Sequence, residues 1–453
     1  MPDDADLVIS GGTVVTMDAD RRVLTAGAVA ITGNRIAAVG SADDIRTAWR
    51  GEQEIDAAGM IVMPGLVSCH GHACNSLVRG MAEDRPLHEW LHEVLWPAMS
   101  HAGPDEVYWG SLLSAVELLC GGVTCFADMW TEVPATTRAV EEVGLRALLA
   151  YNLRDFGDTD RTDIEIHNAV DAWRTCNGKG NGRISVGLAP HSIYACTPEM
   201  LRRARELASE HGLLLQIHVS ETEQEFQNSL KAHGLTPIGY LEEMGFLAPD
   251  VIAAHVVWLG DGDLDILRDR EVSIAHCVAS NLKLGSGVAP VATLKDAGLT
   301  VGLGTDGPAS NNSLDIMADM KMAALLQKGV NRAPKSMPAA DVVAMATSGG
   351  AAVLGLGDTL GRLVPGYLAD VIVVDATGPH ITPFHSNDPT QAYAHLVYCA
   401  KSSDVRDVVI DGQIRVRDRA ILGLDLQTIC DGAQRASTSI LLAAGLLPSD
   451  RAR

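Results

Sequence analysis

One pattern recurs eight times between Ile61 and Gly307 and restricts the fold more than any other feature of the chain. A short apolar run is followed by a longer stretch with apolar residues three and four apart. The runs are IVMPGLVSCH, GVTCFADMW, LRALLAYN, ISVGLAPHS, LLLQIHVSE, VIAAHVVWL, VSIAHC and TVGLGTDG. Intervening segments such as TPEMLRRARELASEHG have the spacing of helices that bury one face. Strands alternating with helices over roughly 300 residues predict an α/β protein closed as a (β/α)8 TIM barrel. An open, doubly wound sheet is disfavoured because no G-x-G-x-x-G follows the first run.

Strand chemistry of another kind flanks this repeat. LVISGGTVVTMD and AVAITGNRIAAVG near the start, and ADVIVVD and VRDVVIDGQIRV near the end, read as short strands, with Gly11-Gly12 and Gly33-Asn34 as tight connections. The expected organisation is a small β-sandwich built from residues 1–60 and 361–425, a metal-dependent barrel over 61–360, and a C-terminal helix over 426–453. The formal net charge of -22 without a basic run argues against nucleic-acid and membrane partners. The nine cysteines are scattered and never spaced C-x-x-C, the start lacks a signal-peptide pattern, and no apolar run is long enough to span a bilayer. A cytoplasmic location is the expectation.

The ends of the apolar runs carry the chemistry. His70 and His72 follow the first run, His191 the fourth, His218 the fifth, His255 the sixth, His276 the seventh and Asp306 the eighth. A single histidine there would more often be a hydrogen-bonded core residue, but six histidines and an aspartate at equivalent places point to a site at the barrel's catalytic face. Residues two apart on an extended strand end point the same way, so His70 and His72 can grip one ion. His218 and Asp306 can complete its shell while leaving a position open. Imidazole and carboxylate ligands suit one divalent transition metal, zinc first and iron second.

The segments MPGLVSCHGH, IHVSE, AAHVVWL and GLGTDGPASNNS resemble the signatures of the amidohydrolase superfamily. HACNSLVRGMAEDRPLHEWLHEVLWP, APHSIY, SNLKLGSGVAPV and GRLVPGYLADVIVVD are similar to its branch of adenosylhomocysteine/methylthioadenosine deaminases and s-triazine hydrolases. The resemblance spans about Leu7 to Val416. It implies a barrel with a β-sandwich from both chain ends, and a mononuclear site, since the fourth run ends in PHS and not in a lysine. It also implies that hydroxide on the metal attacks an amino-substituted heterocycle and that ammonia leaves. Glu221, three residues after His218, would protonate a ring nitrogen, Asp306 would shuttle a proton to the departing amine, and His255 would orient the attacking oxygen.

His191 is expected to face the pocket and Trp130 to stack on a flat ring. Met99 stands where nucleoside deaminases of the branch carry a ribose-binding glutamate, and Tyr151 where they carry an arginine. These two differences predict a compact small-molecule heterocycle as substrate and poor turnover of nucleosides. His88 and His92, four apart, would share a helix face without forming a metal pair. The competing functions are hydrolytic dechlorination, or dealkylating or carbamoyl hydrolysis, on the same scaffold, and a non-catalytic binding protein. A homo-oligomer is expected by analogy with relatives.

Overall fold

The computed structural model describes residues 2–81 and 83–448. Each of the eight apolar runs supplies a barrel strand: β1 (Leu66–Ser68), β2 (Val123–Trp130), β3 (Arg146–Leu153), β4 (Ile184–Pro190), β5 (Leu215–Val219), β6 (Val251–His255), β7 (Ser273–His276) and β8 (Val301–Leu303). They form one eight-stranded sheet in sequential order. One residue after β1, the Cys69 N–H donates to the Leu303 carbonyl at the end of β8 at 2.7 Å. Every residue of β2 and β3 is buried. A strand covered on both faces has no reason to alternate apolar with polar, so these runs read as continuous apolar stretches.

The connecting helices begin and end where local chemistry dictates. Thr197 caps Pro198–His211 by accepting from the Met200 N–H, and Gly212 closes it in the left-handed region. Thr222 does the same for Glu223–His233, with Gly234 at the far end. The C-terminal helix Leu426–Ala443 buries Ala433, Ala436, Ile440 and Leu441 in a cluster with Leu77, Val78 and Trp90. A Cβ on Gly432 would stand 2.3 Å from the Trp109 ring, so glycine is required for this docking.

The flanking strands form one mixed nine-stranded sheet drawn from both ends of the chain. Its core is Leu7, Ile9, Val29, Ile31, Val371, Val373 and Val409. One expectation changes here. Gly11-Gly12 is not a turn: Asp3–Val15 runs through it as one strand with register shifts on either side of Gly12. A Cβ on Gly12 would come within 2.9 Å of Val62, so the pair marks a bulge with close packing. Gly33-Asn34 does connect Val23–Thr32 to Arg35–Ser41.

The first apolar run also splits. Met60–Pro64 pairs with Val371–Asp375 in the mixed sheet, and only Leu66–Ser68 enters the barrel. One compact unit comprises the described residues up to Ser68, Leu118–Cys125 and Asp315–Leu424. The other comprises Cys69–Glu117, Phe126–Leu314 and the described residues from Asp425. The helices Ile316–Asn331 and Ala339–Met345 pack on Pro389–Tyr398 of the first unit. Among the described residues no helix is long and apolar enough to cross a membrane.

Candidate active site

Three imidazoles converge at the strand ends of the second unit. His72 Nδ1 lies 3.0 Å from the Met129 carbonyl, and His218 Nδ1 lies 2.7 Å from the His191 carbonyl. A carbonyl only accepts, so each Nδ1 carries the proton and each Nε2 keeps its lone pair. Those two Nε2 atoms are 3.3 Å apart. His70 Nδ1 is 3.2 Å from Gln216 Oε1, and its fully buried Nε2 has no hydrogen-bond partner among the described residues. The ligand-type atoms of His70, His72 and His218 all lie within 4.8 Å of one another.

Lone pairs gathered this closely repel unless a cation lies among them, and outer partners that fix the tautomer are what metal-binding histidines require. Asp306 Oδ1 is 3.4 Å from His72 Nε2 and 3.7 Å from His70 Nε2. The donor set fits one divalent metal. Burial and the neighbouring imidazoles hold His70 down to about 3, and burial keeps His218 well below its ordinary value. Both therefore remain neutral and available as ligands.

The carboxyl groups are held differently. Asp306 Oδ2 accepts from Ser280 Oγ at 2.5 Å and Ser310 Oγ at 2.9 Å, and Oδ1 accepts from the Gly307 N–H at 2.7 Å. Burial alone would raise its pKa, but the His72, His255 and His70 imidazoles and the Ser280 hydroxyl bring it below the usual carboxylate range. Glu221 is also buried, with Oε2 3.8 Å from His255 Nε2. Burial, then the charge of Asp306, pushes it well above the ordinary glutamate value. His255 Nδ1 lies 2.8 Å from Asn281 Oδ1, which orients the ring. His255 and Asp306 both sit at positive φ, +74° and +59°. Such backbone costs a non-glycine residue on the order of 1–3 kcal/mol and is concentrated at functional sites.

His72, Trp130, His191, His218, Glu221, His255 and Asp306 line one pocket, with His70 behind it. Met99 and Tyr151 do not line it, which corrects the sequence expectation. Met99 is packed in the apolar cluster with Trp90 and Trp130. Tyr151 faces away, its hydroxyl donating to Glu165 Oε2 at 2.9 Å. The lining residues from this part of the chain are Asn152 and Arg154. Strand alternation reverses the direction at each step, so Asn152 and Arg154 face the pocket because Tyr151 does not. The pocket therefore keeps an arginine, and the argument from a lost positive charge fails.

The apolar part of the lining is Leu87, Trp90, Leu91, Leu95, Trp96 and Leu284. Leu91–Leu95 forms a π-helical turn, a distortion that recurs at functional sites. It interrupts the regular helix expected for His88 and His92. The His88 ring meets Tyr194 at 5.6 Å and the His92 ring meets Trp96 at 4.5 Å. His276 is buried beyond the pocket lining, and neither ring nitrogen has a hydrogen-bond partner among the described residues.

A barrel whose strand ends gather imidazoles and two differently tuned carboxyl groups in one pocket is the arrangement of a metal-dependent hydrolase. The chain belongs to the amidohydrolase family, whose model matches residues 61–415. Residues 27–51 also match a bacterial imidazolonepropionase-like composite domain. A 5-methylthioadenosine/S-adenosylhomocysteine deaminase of Pelotomaculum thermopropionicum is 41% identical over 96% of this chain and 99% of its own length. The structure of an adenosine deaminase from Xanthomonas campestris with bound zinc superposes with a TM-score of 0.92 at 31% identity, covering 98% of this chain and all of that one. Atrazine chlorohydrolase from Arthrobacter aurescens, complexed with zinc, superposes with a TM-score of 0.87 at 28% identity, covering 95% of this chain and all of that one. The protein is a hydrolase of C–N bonds other than peptide bonds, of the deaminase kind, which sets aside the non-catalytic alternative.

Proposed function

We propose that the protein deaminates an aminopurine or a closely related amino-substituted N-heterocycle, with Glu221, His255 and Asp306 carrying the proton transfers. The observation behind this reading is the placement of Glu221, His255 and Asp306 on one pocket, with Glu221 3.8 Å from His255 and the two carboxyl groups shifted in opposite directions from their ordinary values. Two carboxyl groups separated in this way identify an acid and a base. His70, His72, His218 and Asp306 would hold the divalent metal, which when bound lowers the pKa of water from ~15.7 towards ~7.

Glu221 in its acid form donates to a ring nitrogen and makes the adjacent amino-bearing carbon electrophilic. Asp306, an anion, accepts the proton lost by the attacking water and returns it to the amino group, which departs as ammonia. His255, oriented by Asn281, hydrogen-bonds the attacking oxygen. Water thus adds across the C=N bond; as ammonia leaves, the proton of the remaining hydroxyl returns to Glu221, so the ring carbon ends as a carbonyl and both carboxyl groups regain their starting forms. Trp130 and Trp90 offer faces to the flat ring, Asn152 and Arg154 offer partners to oxygen-bearing parts of the substrate, and the leucine wall takes an apolar substituent.

Glu221 and Asp306 are the pocket's carboxyl groups among the described lining residues, and both are occupied in the chemistry. A vicinal ribose diol therefore lacks a carboxylate partner, although Arg154 remains for an acidic substituent. The test is purified metal-loaded protein against methylthioadenosine, free aminopurines, aminotriazines and chlorotriazines, with ammonia and chloride read separately. Ammonia release, reduced roughly 10²-fold or more in Glu221→Gln, is expected. Chloride release without ammonia from any aminated ring would replace this reading with the dechlorinase.

A further inference from the structure

The loop that carries Glu221 is held from two sides. On one side its carbonyls are taken by the strand-end residues after His255: the Val256 N–H donates to Val219 O at 3.1 Å, and the Val257 and Trp258 N–H groups both donate to Ser220 O at 3.0 Å. On the other side, two consecutive amides turn towards a single carboxylate. The Ser220 N–H donates to Glu225 Oε1 at 3.2 Å, and the Glu221 N–H donates to Glu225 Oε2 at 2.7 Å. Glu225 is buried and lies on the first turn of Glu223–His233.

This arrangement departs from an ordinary capping box. Thr222 Oγ1 accepts from the Glu225 N–H at 3.1 Å, as the T-x-x-E pattern requires. The glutamate should then reach back to the Thr222 amide, but it extends further and grips the two amides before it. Ser220 is held at a φ of +51°, a conformation a serine does not adopt without support. A carboxylate offers one acceptor oxygen to each amide, whereas a glutamine offers one in all. Burying a carboxyl group away from water is costly, so a cap needed only for helix stability would be better placed at the surface.

We propose that Glu225 is a positioning residue for deamination. By fixing the Ser220–Glu221 backbone against the His255 strand end, it aims the Glu221 carboxyl at the substrate ring. The proposal rests on the reading of Glu221 as the ring-nitrogen acid, and the experiment separates the two.

Glu225→Gln, Glu221→Gln and the double variant are compared for kcat and KM on methylthioadenosine, with metal content and Tm recorded for each. Glu225→Gln is expected to lower kcat ~10-fold or more, part of the ~10²–10⁴-fold that a well-positioned acid–base group contributes. KM should stay within about 3-fold, at unchanged metal content. In the Glu221→Gln background the same change should alter kcat by less than about 2-fold, because a residue acting through another has nothing left to act on. Glu225→Asp keeps both acceptor oxygens on a shorter arm, and it should recover part of the kcat lost in Glu225→Gln. It also serves as the test variant if Glu225→Gln does not fold. Multiplicative losses in the double variant, or full kcat in Glu225→Gln, overturn the positioning role. Full activity in Glu221→Gln would instead overturn the assignment of the acid and leave Glu225 without its purpose.

Discussion

His218 Nδ1 is hydrogen-bonded to the main-chain carbonyl of His191 at 2.7 Å, while the side chain of His191 lines the pocket. One residue thus orients His218 with its backbone and lines the pocket with its ring. His191→Ala should retain the metal and raise KM, since a lost polar contact is worth about 1–3 kcal/mol, a factor of roughly 5 to 150. Metal analysis beside steady-state kinetics decides this. Loss of the metal together with the ring would show that the side chain, not the carbonyl, orients His218.

Metal content should be one equivalent per chain, lost on replacing His70, His72, His218 or Asp306. Because His72 Nε2 and His218 Nε2 face each other at 3.3 Å, removing the ion restores their repulsion. Tm should fall on chelation and return on adding zinc, by mass action on the folded state. Two equivalents in the active protein would contradict the mononuclear arrangement, and a Tm indifferent to chelation would contradict the fit of the donor set.

Arg154 and Tyr151 are three residues apart and should behave in opposite ways. Arg154→Met should raise KM at least ~10-fold for a substrate with an acidic substituent, the scale of a lost charged hydrogen bond, and do less for one without it. Tyr151→Phe removes only a hydroxyl directed at Glu165, so kcat/KM should stay within about 3-fold. The reverse ranking would place Tyr151, not Arg154, at the substrate.

His276 sets an acid limit on stability. Burial, then the charge of His255, lowers its pKa to about 3 from an ordinary 6.5. The unfolded chain takes up a proton below about 6.5 while the folded protein refuses it until about 3, so the stability present above 6.5 drains away as pH falls across that window. His276→Leu removes the difference. Urea unfolding of metal-free protein should show the variant's stability relative to wild type improving by about 2–3 kcal/mol between pH 8 and pH 4.5. A constant difference across that range would mean that His276 takes up its proton in the fold as readily as in the unfolded chain.

The barrel was legible because strands buried on both faces leave uninterrupted apolar runs, and because histidines at their exits have no packing reason to be there. The convergence of His70, His72 and His218 follows from strand position alone. The substrate wall was harder. Met99 and Tyr151 were placed by resemblance to relatives, and such correspondence says which residue stands at a position but not which way its side chain turns. Asn152 and Arg154 were hidden as well, because a strand buried at every position shows no alternation from which to read which face meets the pocket. The π-helical turn at Leu91–Leu95 gave no signal, since its residues satisfy an ordinary helical spacing equally well. Glu225 was hidden for a similar reason: a T-x-x-E sequence announces a helix start and is silent on which amides the glutamate reaches.

Met60–Pro64 is hydrogen-bonded along its length to Val371–Asp375, so neighbours in the sheet are separated by roughly 300 residues of chain. A ribosome adding ~5–20 residues per second needs on the order of 15–60 s to deliver the second strand after the first. Throughout that interval the early strands present an unpaired edge in a crowded cell. The order of synthesis therefore asks for protection of that edge, by a chaperone or by transient pairing among Asp3–Val15, Val23–Thr32 and Arg35–Ser41, whose mutual register needs nothing from the distant end.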